Sequence, residues 1–122
     1  MCLNTYEYCE EEIDSVIGYK VFGWSDIPSY VMSEYMWEYY KIGKVYRRKK
    51  DIDSCIKKPP YEPGFHIFVD LIDAREWCGP SQEIYKVEGR GVYIEGTQNH
   101  SPSKRILDVI VAKRMKVIER VI

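Results

Sequence analysis

The chain has 122 residues, of which 45% are hydrophobic and 30% charged, and its formal net charge is −1. This composition is typical of a soluble globular protein, and the length favours one domain. No apolar run approaches the roughly 20 residues of a membrane span, and the first residues do not resemble a signal peptide. We therefore expect a cytoplasmic protein. The four cysteines have no C-x-x-C spacing, so we expect free thiols rather than a zinc site or disulfides.

Charge is divided unevenly along the chain. Residues 1–40 contain eight acids and one base, a net charge of −7, whereas residues 41–122 contain seventeen bases and eleven acids, a net charge of +6. This division predicts one acidic and one basic surface. The two surfaces could complement each other within the molecule, or the basic surface could bind an anionic ligand or a second copy.

The first half of the chain predicts an acidic arm, two strands and a helix. Residues 1–15 are polar and acidic, which indicates an N-terminal arm or a short first element. Residues 17–22 and 44–48 alternate as strands do. Between them, residues 30–40 have a helical apolar pattern that ends before Gly43. This helix carries more apolar surface than a one-sided helix needs, so we expect a homo-oligomer.

A strand and a helix are predicted after a Pro-rich loop at residues 49–63. The strand covers residues 64–69 and contains His66, which we expect to face away from two neighbouring phenylalanines. Asp70 can cap a helix that ends near Cys78. His66 therefore faces either a ligand pocket or an ordinary polar contact.

The last third of the chain predicts strands. Residues 83–88 form a strand that turns at residues 89–91 into a second strand, 92–95. Residues 96–103 are predicted to be a polar loop and residues 106–112 a buried central strand. Residues 113–122 continue as a strand or a tail with Met115, Val117 and Val121 inward. The predicted fold class is α+β, with an antiparallel or mixed sheet of about six strands and two helices. The predicted domain covers residues 16–122.

Catalytic patterns are missing from the sequence. There is no Walker loop and no H-E-x-x-H motif, and the glycines at 89, 91 and 96 have the wrong spacing for a dinucleotide fingerprint. Nothing local orients Cys55 or Cys78 against His66. We therefore predict a protein that is not an enzyme and that binds no metal and no cofactor.

Residues suited to an anionic, nucleotide-like ligand are concentrated in the last third of the chain. Guanidinium groups bind phosphates, amides bind ribose hydroxyls, and aromatic rings stack on bases. Each such residue also has an ordinary structural role, such as a solvated arginine or a turn amide. The basic run at residues 47–50 could follow a nucleic-acid backbone, but we rank nucleic acid below a small nucleotide. The predicted ligand-binding residues are Arg114, Arg105, Arg90, Gln98, Asn99, His66, Trp24 and Tyr93.

Several short motifs resemble those of small phage and prophage proteins, within which the chain is similar to the Thoeris anti-defence sponges. The motifs are Gly-Tyr-Lys-Val-Phe (18–22), Tyr-x-x-Gly-Lys-Val-Tyr (40–46), Gly-Phe-His-x-Phe (64–68), Asp-Ala-x-x-Trp (73–77), Val-x-Gly-x-Gly (87–91) and Val-Ile-Val-Ala-x-Arg-Met (109–115). The resemblance implies a protein that sequesters a cyclic ADP-ribose isomer made by bacterial TIR-domain defence proteins without cleaving it. It also implies an oligomer with the ligand between subunits.

In that hypothesis Arg114 and Arg105 neutralise the pyrophosphate, Gln98 and Asn99 bind ribose hydroxyls, and Trp24 or Tyr93 contacts adenine. Two alternatives stay open. One is a small ADP-ribosyltransferase-like enzyme in which His66 holds the nicotinamide ribose and Glu88 or Glu95 is the acid. The other is an interaction module whose acidic arm inhibits a host protein.

Overall fold

The computed structural model describes residues 3–33, 38–48, 61–100 and 102–121, which form one mostly antiparallel β-structure with one short helix. The first strands are β1 (Thr5–Gly23), β2 (Tyr30–Ser33), β3 (Glu38–Lys41) and β4 (Val45–Arg47). They are followed by β5 (Phe65–Phe68), α1 (Leu71–Trp77), β6 (Gln82–His100) and β7 (Arg105–Arg120).

Three long strands organise the sheet. Within it, β3, β2, β1, β5, β7 and β4 are neighbours in that order, and β6 pairs with both β1 and β7. Strands β1, β5, β7 and β6 thus form a closed circuit of paired strands. The β6–β7 hairpin is in register from Tyr85 opposite Arg120 to His100 opposite Arg105.

The predicted α+β class with two helices is wrong. Residues 30–33 and 38–41 are the paired strands β2 and β3, with Tyr30 opposite Lys41 and Val31 opposite Tyr40, so no helix spans 30–40. The β-branched and aromatic residues of this segment suit strands, and so short an apolar pattern does not distinguish the two periods. Residues 34–37 lie outside the described residues. Gly43, predicted to end a helix, instead has a φ of +89° in the turn after β3.

The predicted hairpin at residues 89–91 and the loop at 96–103 are also wrong, because β6 runs unbroken from Gln82 to His100. Gly91 has a φ of +65° inside the strand. A glycine at positive φ is as typical of a β-bulge as of a turn, so the Gly-x-Gly pattern misled the prediction. The real turn is at residues 102–104, where Lys104 has a φ of +57°.

Other predicted elements are confirmed. Strands occur at the predicted positions 17–22, 44–48, 64–69 and 106–122, and α1 follows Asp70 and ends at Trp77. The side chain of Asp70 makes no capping hydrogen bond, so its predicted capping role is wrong. Residues 5–15, expected as an acidic arm or short element, belong to β1 and pair with β6, beginning with Thr5 opposite Thr97. The Pro-rich loop lies mostly at residues 49–60, which are outside the described residues.

Two apolar clusters stabilise the fold. One contains Phe65, Ile67 and Met115, and the other contains Phe68 and Leu107 under α1. Each fully buried apolar side chain contributes roughly 1.5 to 3 kcal/mol. Phe65 and Phe68 are three residues apart and lie in different clusters, so the expectation that both face away from His66 is wrong. Val121, expected inward, is 37% exposed.

Candidate anion-binding site

Three basic side chains come together where β4 meets β7. Arg47 of β4 lies opposite Arg114 of β7, and the amide of Arg48 donates to the carbonyl of Lys113 at 2.8 Å. The pairing extends the short strand by one residue and fixes Arg48 beside Lys113 and Arg114. We call Arg48, Lys113 and Arg114 the basic site.

Arg48 is the most constrained member of the basic site. Its side chain is 9% exposed, its guanidinium carbon lies 4.7 Å from the centre of the Tyr93 ring, and its Nη2 is 3.3 Å from Glu62 Oε2. Its Nη1 is buried and has no hydrogen-bond partner in the part of the chain that the structure describes. Buried donors are nearly always satisfied, so this nitrogen is suited to an external acceptor.

Tyr93 supports the arginine rather than facing solvent. The residue is 7% exposed, and its hydroxyl donates to the carbonyl of Glu62 at 2.7 Å. Burial raises the pKa of the Tyr93 hydroxyl, so the group remains a donor. The Lys113 ammonium is a second cation near this ring, 6.0 Å from its centre. Tyr93 therefore acts as a cation–π platform for the basic site and not as a free stacking surface for a ligand.

An internal carboxylate already contacts the basic site. Glu12 of β1 forms an ion pair with Lys113. The hydrogen bond from Lys113 lowers the pKa of Glu12, and the charges of Arg114 and Arg48 lower it further. Three cations thus act on one carboxylate. The acidic first third and the basic last third of the chain meet here.

Three arginines lie in a cross-strand row beside the basic site. Arg114 is opposite Arg47 on one side and opposite Arg90 on the other. Arg90 donates from Nε to Glu88 at 2.6 Å, and Ser15 donates to the same carboxylate. The side chains of Arg47 and Arg114 make no hydrogen bond or ion pair to any described residue. Like charges placed opposite one another are destabilising, so the row favours a nearby anion.

An exposed aromatic ring adjoins this region. Tyr8 is 54% exposed, and its hydroxyl accepts the amide N–H of Glu62 at 3.4 Å. Glu62 also contacts Arg48 and Tyr93. Tyr8 and the buried guanidinium of Arg48 therefore share Glu62 as a contact residue. Its edge-on contact with Tyr6 leaves a ring that a planar group could stack on.

Arg105, Gln98 and Asn99 lie at the other end of the β6–β7 hairpin from Arg114. Arg105 is opposite His100, nine residues from Arg114, which is about 30 Å along a strand. Arg105 donates to Asp73 at 3.1 Å and pairs with Glu76 at 3.5 Å. Arg105 and Arg114 are therefore too far apart to bind one pyrophosphate.

The two predicted amide residues lie away from the basic site. The backbone N–H of Asn99 donates to the side-chain oxygen Oδ1 of Asn4 at 2.6 Å, which ties the residue before β1 to β6. Gln98 lies opposite Leu107, and its Oε1 is buried without a partner in the described part of the chain. The structure brings Gln98 and Asn99 together with Arg105 but not with Arg90 or Arg114.

Trp24 also lies far from the basic site. It follows the end of β1, nine residues after Ser15, which is opposite Arg90, and this separation is about 30 Å along a strand. Its side chain is 64% exposed. Of the eight predicted ligand residues, the structure thus brings together Arg90, Arg114 and Tyr93.

His66 is part of a satisfied hydrogen-bond network. Its Nδ1 donates to the carbonyl of Gly64 at 3.2 Å, so in the neutral ring Nε2 accepts the hydroxyl proton of Tyr61 at 2.7 Å. The Tyr61 hydroxyl also accepts the amide N–H of Leu3. Burial, followed by the charge of Lys20, lowers the pKa of His66 to about 3. Both ring nitrogens are engaged by the protein, which gives His66 a structural role here.

The acidic groups outside the basic site are a weak basis for metal binding or catalysis. Oxygens of Asp70, Asp73 and Asp108 lie within 4.8 Å of one another, but Asp73 already accepts Arg105 and the amide of Asp108. Glu88 is held by Arg90, whose hydrogen bond lowers the pKa of this carboxyl. Glu95 lines an open depression together with other acids and is seven residues from Glu88.

Comparisons with protein-family models, with curated proteins and with solved structures found no match. Among the described residues, no helix has the length and apolar character needed to cross a membrane.

Sequence reasoning missed Arg48, Glu12 and Tyr8 as parts of one site. Arg48 was visible only as a member of the basic run at 47–50, and Glu12 only as the last of three consecutive glutamates. No local signal connects them, because they meet through the pairing of β1 with β6, β6 with β7 and β7 with β4.

Proposed function

We propose that this protein binds a phosphate-bearing nucleotide at the basic site and retains it without chemical change. The observation that carries the proposal is the Arg48 side chain, which is 9% exposed and keeps a buried Nη1 without a partner among the described residues. Arginine is suited to phosphate because its planar donors match two oxygens. A phosphate at Nη1 would complete the hydrogen bonding of this group.

The neighbouring residues supply the rest of a nucleotide site. Lys113 and Arg114 add two positive charges that already act on the Glu12 carboxylate. Tyr8 offers an exposed ring for a base, in place of Trp24 and Tyr93. A few directed polar groups beside an aromatic surface are typical of small-molecule sites.

Binding without turnover is favoured by the state of the nearby carboxylates. Glu12 is paired with Lys113 and Glu62 with Arg48, so neither is poised as a general base. General-base catalysis needs a group with a pKa near the working pH, and the pKa of Glu12 is lowered. Glu88, one candidate acid of the transferase alternative, is likewise held by Arg90 at 2.6 Å, and this supports a binding protein.

The sequence resemblance specifies the ligand further. We propose a cyclic ADP-ribose-type nucleotide, captured in the cytoplasm of a bacterial host during phage infection, so that TIR-dependent defence is blocked. Such a ligand carries a pyrophosphate for the basic site and an adenine for Tyr8. Association of two copies also remains part of this proposal, and light scattering at micromolar concentration tests it directly.

Site-directed variants locate the binding. We expect Arg114→Ala to weaken ADP binding by on the order of 2 kcal/mol in calorimetry, because a phosphate loses a charge-assisted partner. The matched control is Arg120→Ala, which removes an exposed arginine of the same strand that pairs with Glu83 at 3.5 Å. Arg120→Ala should keep the wild-type affinity. Equal affinities for all three proteins would overturn the proposed site.

A further inference from the structure

Glu12 is presented to the basic site by an irregularity in β1. Tyr8 lies opposite Ile94 and Ile13 opposite Val92, so four residues, Cys9 to Glu12, face the single residue Tyr93. Extra residues in one strand bend it and redirect side chains. The bulge thereby carries the end of the acidic triplet across β6 to Lys113 on β7.

The strand beneath the bulge leaves room for this carboxylate. Gly91 of β6 has a φ of +65°, and a Cβ at this position would lie 2.8 Å from Glu12 Oε1. It would also lie 3.5 Å from Arg114 Nη2. A side chain at residue 91 would therefore push Glu12 away from the site, and glycine permits both the backbone conformation and the contact.

We propose that Glu12 is a built-in competitor that occupies the position of a ligand phosphate and sets the minimum charge of the ligand. The inference rests on the proposed function and adds the regulation of the same site. A ligand must release Glu12 from Lys113 before it can contact all three cations. A single carboxylate gains little from replacing another, whereas a phosphate dianion or a pyrophosphate brings more charge. The ligand class is thus one with at least two negative charges.

Neighbouring glutamates provide matched controls. Glu10 and Glu11 lie in the same bulge and are exposed, and their side chains make no hydrogen bond or ion pair to a described residue. Glu12→Gln, Glu11→Gln and Glu10→Gln change the net charge equally. A long-range effect of charge would therefore be similar in all three variants, whereas the loss of a direct competitor would appear only in Glu12→Gln.

The test is calorimetric titration of the full chain with inorganic pyrophosphate. We expect Glu12→Gln to bind about three- to tenfold more tightly than wild type, since an exposed ion pair no longer opposes the ligand. Glu11→Gln should stay within about twofold. Acetate should bind wild type much more weakly than pyrophosphate. If Glu12→Gln and wild type bind pyrophosphate equally, the proposal that Glu12 competes with the ligand is contradicted, while the proposed binding site is not.

A spectroscopic readout follows Glu12 itself. In carbon-detected NMR of the wild type, saturating pyrophosphate should raise the pKa of Glu12 towards its ordinary value, because the carboxylate has left Lys113. An unchanged pKa with pyrophosphate bound would show that Glu12 stays in place and would overturn the inference. Absence of pyrophosphate binding in both proteins, in contrast, would overturn the proposed function and the inference with it.

Discussion

The Lys20 ammonium donates to the backbone carbonyl of His66 at 2.7 Å, from β1 to β5. The backbone pairing of these strands is short, with one register pair, Tyr19 opposite Phe68. The lysine bond therefore reinforces the weakest contact of the circuit formed by β1, β5, β7 and β6. It also places a positive charge next to a histidine whose two ring nitrogens are used inside the protein.

Lys20 should make stability rise in mild alkali. Burial lowers the pKa of Lys20 to about 8 from an ordinary value of 10.5, so the unfolded chain keeps this proton to higher pH than the folded one. Folding is therefore relatively favoured as pH rises from about 8 towards 10.5. We expect this group to add about 2 kcal/mol to the free energy of unfolding between pH 7 and 9.5.

Urea unfolding of Lys20→Met and wild type measures this contribution. The difference in free energy of unfolding between the two proteins should shift in favour of wild type as pH rises, because methionine has no proton to lose. The control Lys86→Met removes a lysine of the paired strand β6. Its free energy of unfolding should keep the pH dependence of wild type. A pH-independent difference for Lys20→Met would show that the ammonium is not buried.

His66 should make the protein sensitive to acid. Its folded pKa of about 3 lies below the ordinary 6.5, so between these values the unfolded chain takes up a proton that the folded chain refuses. Stability should fall by roughly 2 kcal/mol from pH 6.5 to 5.

The acid dependence disappears if residue 66 cannot titrate. His66→Gln should lower the free energy of unfolding at pH 7 by about 1 to 3 kcal/mol, because the contacts to Tyr61 and Gly64 are altered. The free energy of unfolding of His66→Gln should also change less than that of wild type between pH 6.5 and 5. His100→Gln, the change at the other histidine, should keep the wild-type slope. Loss of nucleotide binding without loss of stability in His66→Gln would instead favour a ligand role.

Arg105 should matter for stability and not for ligand binding. It pairs with Asp73, which is 4% exposed and also accepts the amide of Asp108 at 3.1 Å. Arg105→Ala leaves a buried carboxylate with one partner fewer, at an expected cost of about 1 to 3 kcal/mol. Thermal unfolding should show this loss, while ADP affinity stays at the wild-type level. A large drop in ADP affinity would instead indicate that Arg105 contacts the ligand.

Local sequence patterns predicted the elements whose signals are local. The helix after Asp70 and the strands around Phe65 and Val109 have clear periodicity and boundaries, and each was found. The helix predicted for residues 30–40 was wrong because, over so few residues, the aromatic side chains fit the apolar face of a helix and that of a strand equally well. The turn predicted at Gly91 was wrong because a glycine with positive φ occurs in a β-bulge as well as in a turn.

The candidate site was less predictable, since it depends on which strands pair. Arg114 and Tyr93 were expected as ligand residues, yet their partners Arg48 and Glu12 come from β-strand neighbours far away in sequence. Arg105 and Gln98 were grouped with Arg114 by sequence proximity, but an extended strand separates residues quickly. Charge asymmetry did indicate that acidic and basic regions could meet, as Glu12 and Lys113 do.

Equilibrium dialysis against a cyclic ADP-ribose isomer, followed by heat denaturation and chromatography, tests the central claim most directly. We predict that wild type concentrates the nucleotide and releases it unchanged, and that Arg114→Ala retains much less. Recovery of a cleaved product would contradict binding without turnover. No retention of any isomer, or equal retention by wild type and Arg114→Ala, would contradict the proposed ligand or the basic site that binds it.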